Sequence, residues 1–228
     1  MSKAVVLLSG GLDSSTVLAL AKAQGHDIVA LTFDYGQRHD KEIDSARAVA
    51  EAMGATEHIV LSLPLGPLLD SSLTRAGAAV PEGRSKSDMS SGIPSTYVPS
   101  RNIIFLSVAA SIAESIGAGS VFIAANAVDF SGYPDCTPEF LDAFQAMLRV
   151  GTKAGKEGRS IMVEAPVIGM TKAEIVREAV RLHVPLDLTW SCYKGGERAC
   201  GRCDSCLLRL DGFRQAGVED PLEYEVGR

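Results

Sequence analysis

The alternation of short apolar runs with helix-like segments constrains the fold of this chain more than any other sequence feature. Strand-like runs occupy residues 4–8, 28–34 and 57–61, and the segments between them, residues 13–24 and 39–53, have helical character. Continuous apolar runs of this length are typical of parallel strands buried on both faces. The alternation therefore predicts an α/β fold, with a doubly wound, mainly parallel sheet and helices on both of its faces.

Residues 63–100 interrupt this rhythm. The stretch contains five prolines and many serines and glycines, with no sustained period. A connection of that length is typically a lid, a binding loop or disorder. The helix after residue 170 opens with a capping-box pattern, Thr171 followed by Glu174. Beyond the interruption we predict strands at residues 120–125 and 161–165 and helices at residues 101–116, 138–150, 171–182 and 204–215.

Composition limits the classes of partner. The 228 residues are 46% hydrophobic and 22% charged, which excludes a disordered or fibrous chain and favours one large domain with an appendage. The net charge of −6 gives no basis for binding nucleic acid, and 6% aromatics disfavour a base-stacking platform. The longest apolar stretch, around residues 103–116, is interrupted by Ser107, Ser111 and Glu114. We therefore expect a cytoplasmic protein with no nucleic-acid and no membrane partner.

A glycine-containing loop, SGGLDSST, occupies residues 9–16 between the first strand and the first helix. Unpaired N–H groups and the positive end of the helix dipole favour a phosphate at such a position. The loop lacks the lysine of a Walker loop and the third glycine of a dinucleotide fingerprint, so γ-phosphoryl transfer and hydride transfer are disfavoured. A plain capped turn is the alternative. Asp13 either caps the helix or holds Mg²⁺ between its carboxylate and the phosphates.

Four of the five cysteines are clustered near the end of the chain. Cys192, Cys200, Cys203 and Cys206 are separated by seven, two and two residues, and Cys136 lies apart. Five cysteines are too few for a disulfide scaffold in a chain of this length. Four thiolates in a tetrahedron would make one closed structural zinc site. An iron–sulfur cluster and a redox pair remain alternatives at this stage.

Three further polar or aromatic strings border predicted core elements. They are YGQRH at residues 35–39, YVPSRN at residues 97–102 and DFSGYPDC at residues 129–136. Ligands of doubly wound folds bind at the carboxyl ends of the strands, where these strings are expected. Each string alone could be turn chemistry, but their common position favours a joint binding site.

These strings carry a resemblance to a known family. Residues 9–16 resemble the phosphate loop of the N-type ATP pyrophosphatases. Together with the three strings, WSCY at residues 190–193 and CGRCDSC at residues 200–206, they resemble the 7-cyano-7-deazaguanine synthases of queuosine biosynthesis. The resemblance implies an adenine nucleotide alpha hydrolase-like fold. Its ATP-binding domain would span residues 1–188, and a zinc segment with a terminal helix would span residues 189–228.

The resemblance also implies an activity. It is that of an ATP-dependent ligase that converts 7-carboxy-7-deazaguanine and ammonia to 7-cyano-7-deazaguanine. The acid and then the amide are adenylated in turn, consuming two ATP with Mg²⁺. The implied partners are the acid, ammonia and ATP, and the implied assembly is a homodimer.

Site residues follow from the same resemblance. Asp13, Arg38, Arg101, Asp129 and Asp135 are the catalytic candidates, with the two arginines directed at the substrate carboxylate or the phosphates. The two aspartates 129 and 135 would hold the guanine-like edge, because carboxylates accept paired N–H donors. The implied ATP segment consists of Leu8, Ser9, Gly10, Gly11, Leu12, Asp13, Ser14, Ser15, Thr16, Val17 and Leu18.

Two details and two rival classes stay open. Thr137 stands where the family pattern leads us to expect arginine, so carboxylate recognition there is in doubt. Cys136 is either a nucleophile or a buried structural thiol. One rival is a tRNA-thiolating enzyme, which would need a basic surface, and the other is a non-catalytic nucleotide-sensing zinc module.

Overall fold

The computed structural model describes residues 2–75, 77–89, 91–128 and 132–225. Its centre is a five-stranded sheet in which every pairing is parallel and the strand order is β3-β2-β1-β4-β5. The predicted fold class is confirmed. The strands are β1 Lys3–Leu7, β2 Asp27–Asp34, β3 Glu57–Ser62, β4 Ser120–Phe122 and β5 Met162–Glu164.

Helices follow the strands as the periodicity predicted. The capping box that begins α7 is present, since the Thr171 hydroxyl accepts from the Glu174 N–H at 3.3 Å and the Glu174 carboxylate accepts from the Thr171 N–H at 2.7 Å. Short 3₁₀ turns lie at Gly66–Leu68, Pro134–Cys136 and Leu186–Leu188. The α-helices are α1 Leu12–Ala23, α2 Lys41–Ala52, α3 Lys86–Met89, α4 Arg101–Ile116, α5 Pro138–Gly151, α6 Lys153–Lys156, α7 Lys172–Arg181 and α8 Asp204–Ala216.

Two apolar layers enclose the sheet. Successive side chains of a strand point to opposite faces, so Ala4 and Val6 of β1 join one core cluster while Val5 and Leu7 join the other. The first cluster includes residues of α1, α2, α7 and α8, and the second includes residues of α4 and α5. Burial on both faces is the physical reason that the strand sequences are continuously apolar.

The strand order creates a crevice at the carboxyl end of β1. The chain runs from β1 outward through β2 and β3, then returns to place β4 on the other side of β1. At such a reversal the connections after the two central strands diverge to opposite faces and leave room for a ligand. The loop at residues 9–16 therefore begins at this crevice.

The long segment at residues 63–100 packs against the cysteine-bearing end of the chain. Glu82 forms an isolated antiparallel bridge with Cys203, and the Gly83 N–H donates to the Arg202 carbonyl at 2.9 Å. Arg84 pairs with Asp204 at 2.6 Å. The described part of the segment is thus a loop that contains a 3₁₀ turn and the short helix α3 and is held by specific contacts.

The C-terminal part is joined to the α/β layers by α8. This helix packs against α7, and its Phe213 is buried in the same cluster as β1. The division of the chain after residue 188 into two domains stays a prediction. Among the described residues, no helix has the length and apolar character needed to cross a membrane.

Candidate functional site

A cavity of about 310 Å³ opens at the carboxyl ends of the strands. The loop after β1, the first turns of α2, α4 and α7, and the start of the cysteine segment all contribute side chains to its wall. The crevice that the topology creates is therefore closed into a pocket by elements from distant parts of the sequence.

The glycine loop presents free backbone donors to this cavity. Gly11 is the N-cap of α1 and supplies no side-chain cap, so the first N–H groups of the helix stay available to a ligand. The Ser9 and Ser14 hydroxyls lie 3.0 Å apart and support the loop. Gly10 has φ +76°, and a Cβ there would lie 2.5 Å from the Glu42 carbonyl oxygen and from the Ala46 nitrogen. Glycine is thus required for the loop to lie against α2.

Asp13 faces the cavity with a partner that the sequence analysis missed. Its carboxylate receives the Lys172 ammonium at 2.6 Å, and both side chains are largely buried. Lys172 is the first residue of α7, where sequence alone suggests an ordinary surface lysine. Gly212 of α8 leaves space for it, since a Cβ there would lie 2.4 Å from the Lys172 Cγ. The fold thus supplies a lysine to a loop that lacks one in sequence.

Arg101 lines the cavity at the start of α4. The residue before it, Ser100, adopts φ +56°, an uncommon conformation outside glycine, and its N–H donates to the Tyr97 hydroxyl at 3.0 Å. This turn starts α4 with Arg101 at the cavity wall beside Tyr35. Burial raises the pKa of the Tyr35 phenol although the neighbouring Arg101 guanidinium lowers it. Arg101 therefore supplies positive charge inside a desolvated pocket.

The other catalytic candidates occupy different places. Arg38 donates to the carbonyls of Ser72 at 3.3 Å and Ala78 at 2.7 Å, so it anchors the long loop and is not part of the described cavity wall. Asp135 is buried and accepts from the Asn102 N–H at 2.9 Å, capping the start of α4. Asp129 lies outside the described residues. Their proposed contacts with substrate stay predictions.

Thr137 and Cys136, whose roles the sequence left open, both make specific local hydrogen bonds. Thr137 is the N-cap of α5, its hydroxyl accepting from the Phe140 N–H at 3.2 Å. Threonine is a favoured N-cap residue, so its presence at this position has a structural reason. Cys136 is buried at the cavity wall, where its Sγ accepts from the Asn102 side-chain amide at 3.2 Å.

Glu42 is a cavity-lining carboxylate that sequence reasoning did not single out. It lies in the first turn of α2 and is half-buried. Burial raises the pKa of its carboxyl from 4.5 to about 7, although the Arg101 guanidinium lowers it and a charged Cys192 raises it. On the linear sequence Glu42 looks like any charged residue of an amphipathic helix.

The four clustered cysteines converge as predicted. Their Sγ atoms all lie within 4.8 Å of one another, all four side chains are buried, and none forms a disulfide. The Cys200 and Cys206 sulfurs are 3.9 Å apart, close to the edge of about 3.8 Å of a tetrahedron with Zn–S bonds of about 2.3 Å. The cluster is therefore consistent with a bound metal.

Backbone donors surround these sulfurs. Cys192 Sγ accepts from the N–H groups of Lys194 at 3.4 Å and Cys200 at 3.3 Å, and Cys200 Sγ accepts from the Arg202 and Cys203 N–H groups. Hydrogen bonds among Cys192, Cys203 and Cys206 lower the pKa of the Cys192 thiol and raise the pKa of the other two. Such donors stabilise thiolates, the form that binds metal.

Trp190 connects the cysteine segment to the glycine loop. Its backbone N–H donates to the Gly10 carbonyl at 2.9 Å, and its indole N–H donates to the Cys192 carbonyl at 2.9 Å. His39 Nε2 donates to the same Cys192 carbonyl at 3.1 Å. The cysteine segment therefore supports the wall of the cavity directly.

Similar solved structures show which fold this chain has. The chain is similar to an NMN synthetase from Francisella tularensis, with a TM-score of 0.51 at 14% identity over 96% of this chain and 78% of that one. It is also similar to a 4-thiouridine synthetase in an RNA complex with bound ATP, with a TM-score of 0.50 at 19% identity over 95% of this chain and 50% of that one. The fold and loop place the chain in the adenine nucleotide alpha hydrolase-like (PP-loop) structural group.

Sequence relatives define the family. A family model described as queuosine biosynthesis protein QueC matches residues 3–217. A 7-cyano-7-deazaguanine synthase from Kineococcus radiotolerans is 54% identical, covering 97% of both chains, and one from Myxococcus xanthus is 53% identical, covering 98% of both. The chain belongs to the QueC family of queuosine biosynthesis proteins.

Proposed function

We propose that this chain is an ATP-dependent ligase that converts 7-carboxy-7-deazaguanine and ammonia to 7-cyano-7-deazaguanine. The observation that carries the proposal is one cavity that unites an uncapped helix N-terminus, the Asp13–Lys172 pair and Arg101. More than half of the residues are identical to synthases of that name over nearly the whole chain.

The first half-reaction activates a poor electrophile. A carboxylate oxygen of the substrate attacks the α-phosphorus of ATP, forming an acyl adenylate and releasing pyrophosphate. Ammonia then attacks the acyl carbon, AMP leaves, and the nitrogen loses a proton to give the amide. In this proposal the free N–H groups of α1 and the Lys172 ammonium, which line the cavity, stabilise the charge on departing pyrophosphate.

The second half-reaction uses the same cavity again. The amide oxygen attacks a second ATP, pyrophosphate leaves, and loss of a proton gives an O-adenylated imidate. Removal of the remaining N–H proton with cleavage of the C–O bond expels AMP and forms the nitrile. Two ATP are thus converted to two AMP and two pyrophosphates, which accounts for both oxygens lost from the carboxyl group.

The residue roles belong to this proposal. Residues 8–18 would bind ATP, the Asp13 carboxylate would hold Mg²⁺, and Arg101 would bind the substrate carboxylate or the phosphates. Mg²⁺, when bound, supplies charge neutralisation at the phosphates. Arg38, Asp129 and Asp135 remain candidates for substrate contacts.

The metal and the assembly are also proposed. One structural Zn²⁺ is held by Cys192, Cys200, Cys203 and Cys206, because four buried thiols leave no open coordination position for catalysis. Free thiols support a cytoplasmic location. We propose a homodimer, and a metal-bearing segment at residues 189–228 that supports the ATP-binding domain at residues 1–188.

Pyrophosphate release is the direct test of this function. The purified protein with Mg²⁺, ATP and ammonium chloride is expected to release pyrophosphate only when 7-carboxy-7-deazaguanine is added. Two pyrophosphates and two AMP should accumulate for each nitrile detected by mass spectrometry. Release with tRNA but none with the acid would establish the thiolating rival, and ATP binding without release under either condition would establish the sensing module.

The Lys172 ammonium gives a prediction for the adenylation step. Lys172→Met keeps the length of the side chain but removes the charge beside Asp13, so kcat/KM for ATP should fall by about 10²–10³-fold. Steady-state pyrophosphate release measures the change. The exposed Lys153→Met in α6 is the control and should match the wild type. An unimpaired Lys172→Met enzyme would show that this lysine only supports the fold.

A further inference from the structure

Near neutral pH the ammonia supplied to the enzyme is present largely as ammonium. Ammonium is not a nucleophile until it loses a proton. A site that captures it needs a negative charge inside the cavity, and a site that activates it needs a group that accepts a proton there. This inference rests on the function proposed above.

Few described groups in the cavity meet that requirement. Of the described cavity-lining side chains, two are carboxylates, Asp13 and Glu42, and Asp13 is paired with Lys172. All four histidines are described and none lines the cavity. Within the described chain, Glu42 makes no hydrogen bond or ion pair. Among the described side chains of the cavity wall, Glu42 is therefore the carboxylate that is available to a ligand.

The backbone of Glu42 packs against the ATP loop at Gly10. Gly10 lies so close to the first turn of α2 that a Cβ on it would be 2.5 Å from the Glu42 carbonyl oxygen. The side chain of Glu42 lines the same cavity as the loop, the first turn of α1 and Asp13. A group held by Glu42 would therefore lie in the cavity into which the loop opens.

We propose that Glu42 is the catalytic base that binds ammonium and accepts its proton. The carboxylate takes one proton from ammonium, and the ammonia released attacks the acyl carbon as AMP leaves. The nitrogen then loses a second proton to solvent to give the neutral amide. In the second half-reaction Glu42, having returned its proton to solvent, accepts an N–H proton of the adenylated imidate as the C–O bond breaks. One group thus serves both nitrogen steps without any redox change.

The charge environment suits this role. The titratable groups facing Glu42 are Tyr35 after β2, Arg101 at the start of α4, and Cys192 in the cysteine segment. Burial outweighs the attraction of the Arg101 guanidinium and raises the pKa of Glu42 to about 7. A base with a pKa near the working pH exchanges protons most effectively.

The test separates nitrogen chemistry from adenylation by comparing Glu42→Gln with the wild type. We expect Glu42→Gln to keep the acid-dependent exchange of labelled pyrophosphate into ATP without ammonium. With ammonium chloride added, its amide and nitrile formation should fall by about 10²–10⁴-fold, with a raised KM for ammonium. The deficit should shrink at alkaline pH, where free ammonia becomes abundant.

The pH profile gives a readout that a structural role would not move. Wild-type nitrile formation at low ammonium should rise with pH and level off above about 7, once the Glu42 carboxyl is ionised, whereas in Glu42→Gln it should continue to rise with the concentration of free ammonia. Because the folded pKa is raised above 4.5, ionisation of Glu42 costs folding stability as pH rises. Glu42→Gln should therefore melt at or above the wild-type temperature at alkaline pH.

The matched control for Glu42→Gln lies on the same helix. Glu51→Gln, an exposed residue of the same helix, should match the wild type in every assay. Unchanged ammonium kinetics in Glu42→Gln would overturn the proposal. So would a raised KM for the deazaguanine acid alone, which would assign Glu42 to the guanine-like edge, or a loss of pyrophosphate exchange. A wild-type enzyme without acid-dependent exchange would instead overturn the proposed function and this inference with it.

Discussion

Cys203→Ala is expected to lose its metal and most of its soluble yield. Cys203 is one of four buried thiols whose sulfurs converge, and a three-thiol remnant cannot close a tetrahedron. Structural Zn²⁺ contributes about 10–16 kcal/mol of apparent binding energy in small zinc domains, and that energy is available only when the site is folded. Because Trp190 joins this segment to the glycine loop, loss of the metal should also abolish ATP-dependent activity.

Elemental analysis and thermal unfolding measure this prediction. Wild-type protein should contain one zinc per chain, and Cys203→Ala should contain far less and unfold at a lower temperature. Cys136→Ala, outside the cluster, is the control and should retain zinc. A stable Cys203→Ala protein with full metal content would contradict the assignment. A brown wild-type protein containing iron would show that the cluster holds iron and sulfide instead.

Removing one member of the buried Arg209–Asp220 pair is expected to have the largest effect on stability among the ion pairs described. The two side chains are 2% and 4% exposed and are joined by two hydrogen bonds of 2.9 Å. Arg209 also donates to the Thr189 hydroxyl at 2.8 Å and to the Leu186 carbonyl at 3.3 Å. Arg209→Leu removes the positive charge beside the buried Asp220 carboxylate, which keeps its hydrogen bonds from the Tyr224 hydroxyl and the Leu222 N–H, and this loss costs about 3–5 kcal/mol.

A double-variant cycle isolates this pair. Arg209→Leu and Asp220→Leu should each reduce the free energy of unfolding strongly, and the double variant should lose much less than their sum. Arg214→Leu, which breaks an exposed pair with Asp211 on the same helix, is the matched control and should cost at most about 1 kcal/mol. Additive losses in chemical denaturation would show that Arg209 acts through its contacts with residues 186–191 instead.

Much of the architecture could be predicted because it depends on local pattern. The strand-like runs at residues 28–34 and 57–61, the helix at residues 101–116 and the Thr171 capping box recur in the structure with boundaries within about two residues. Burial on both sheet faces requires apolar runs, and helix ends require particular caps. These requirements act on neighbours in sequence, so the sequence records them.

The predicted site was only partly assembled by the fold. Asp13 and Arg101 reach the cavity as their motifs indicated, whereas Arg38 binds backbone carbonyls of the long loop. The YGQRH string alone does not show which of its side chains turns inward. Tyr35 lines the cavity while Arg38 does not, because the loop at residues 72–78 offers acceptors to its guanidinium.

The sequence by itself determined the alternating α/β order, the phosphate-binding loop and the four-cysteine set, because each is a pattern within a short stretch. Tertiary structure alone decided that Lys172 meets Asp13 across 159 positions and that Glu42 faces the cavity. Charge pairing and desolvation depend on distances through space. Folding sets those distances when α7 and α2 pack beside the loop after β1.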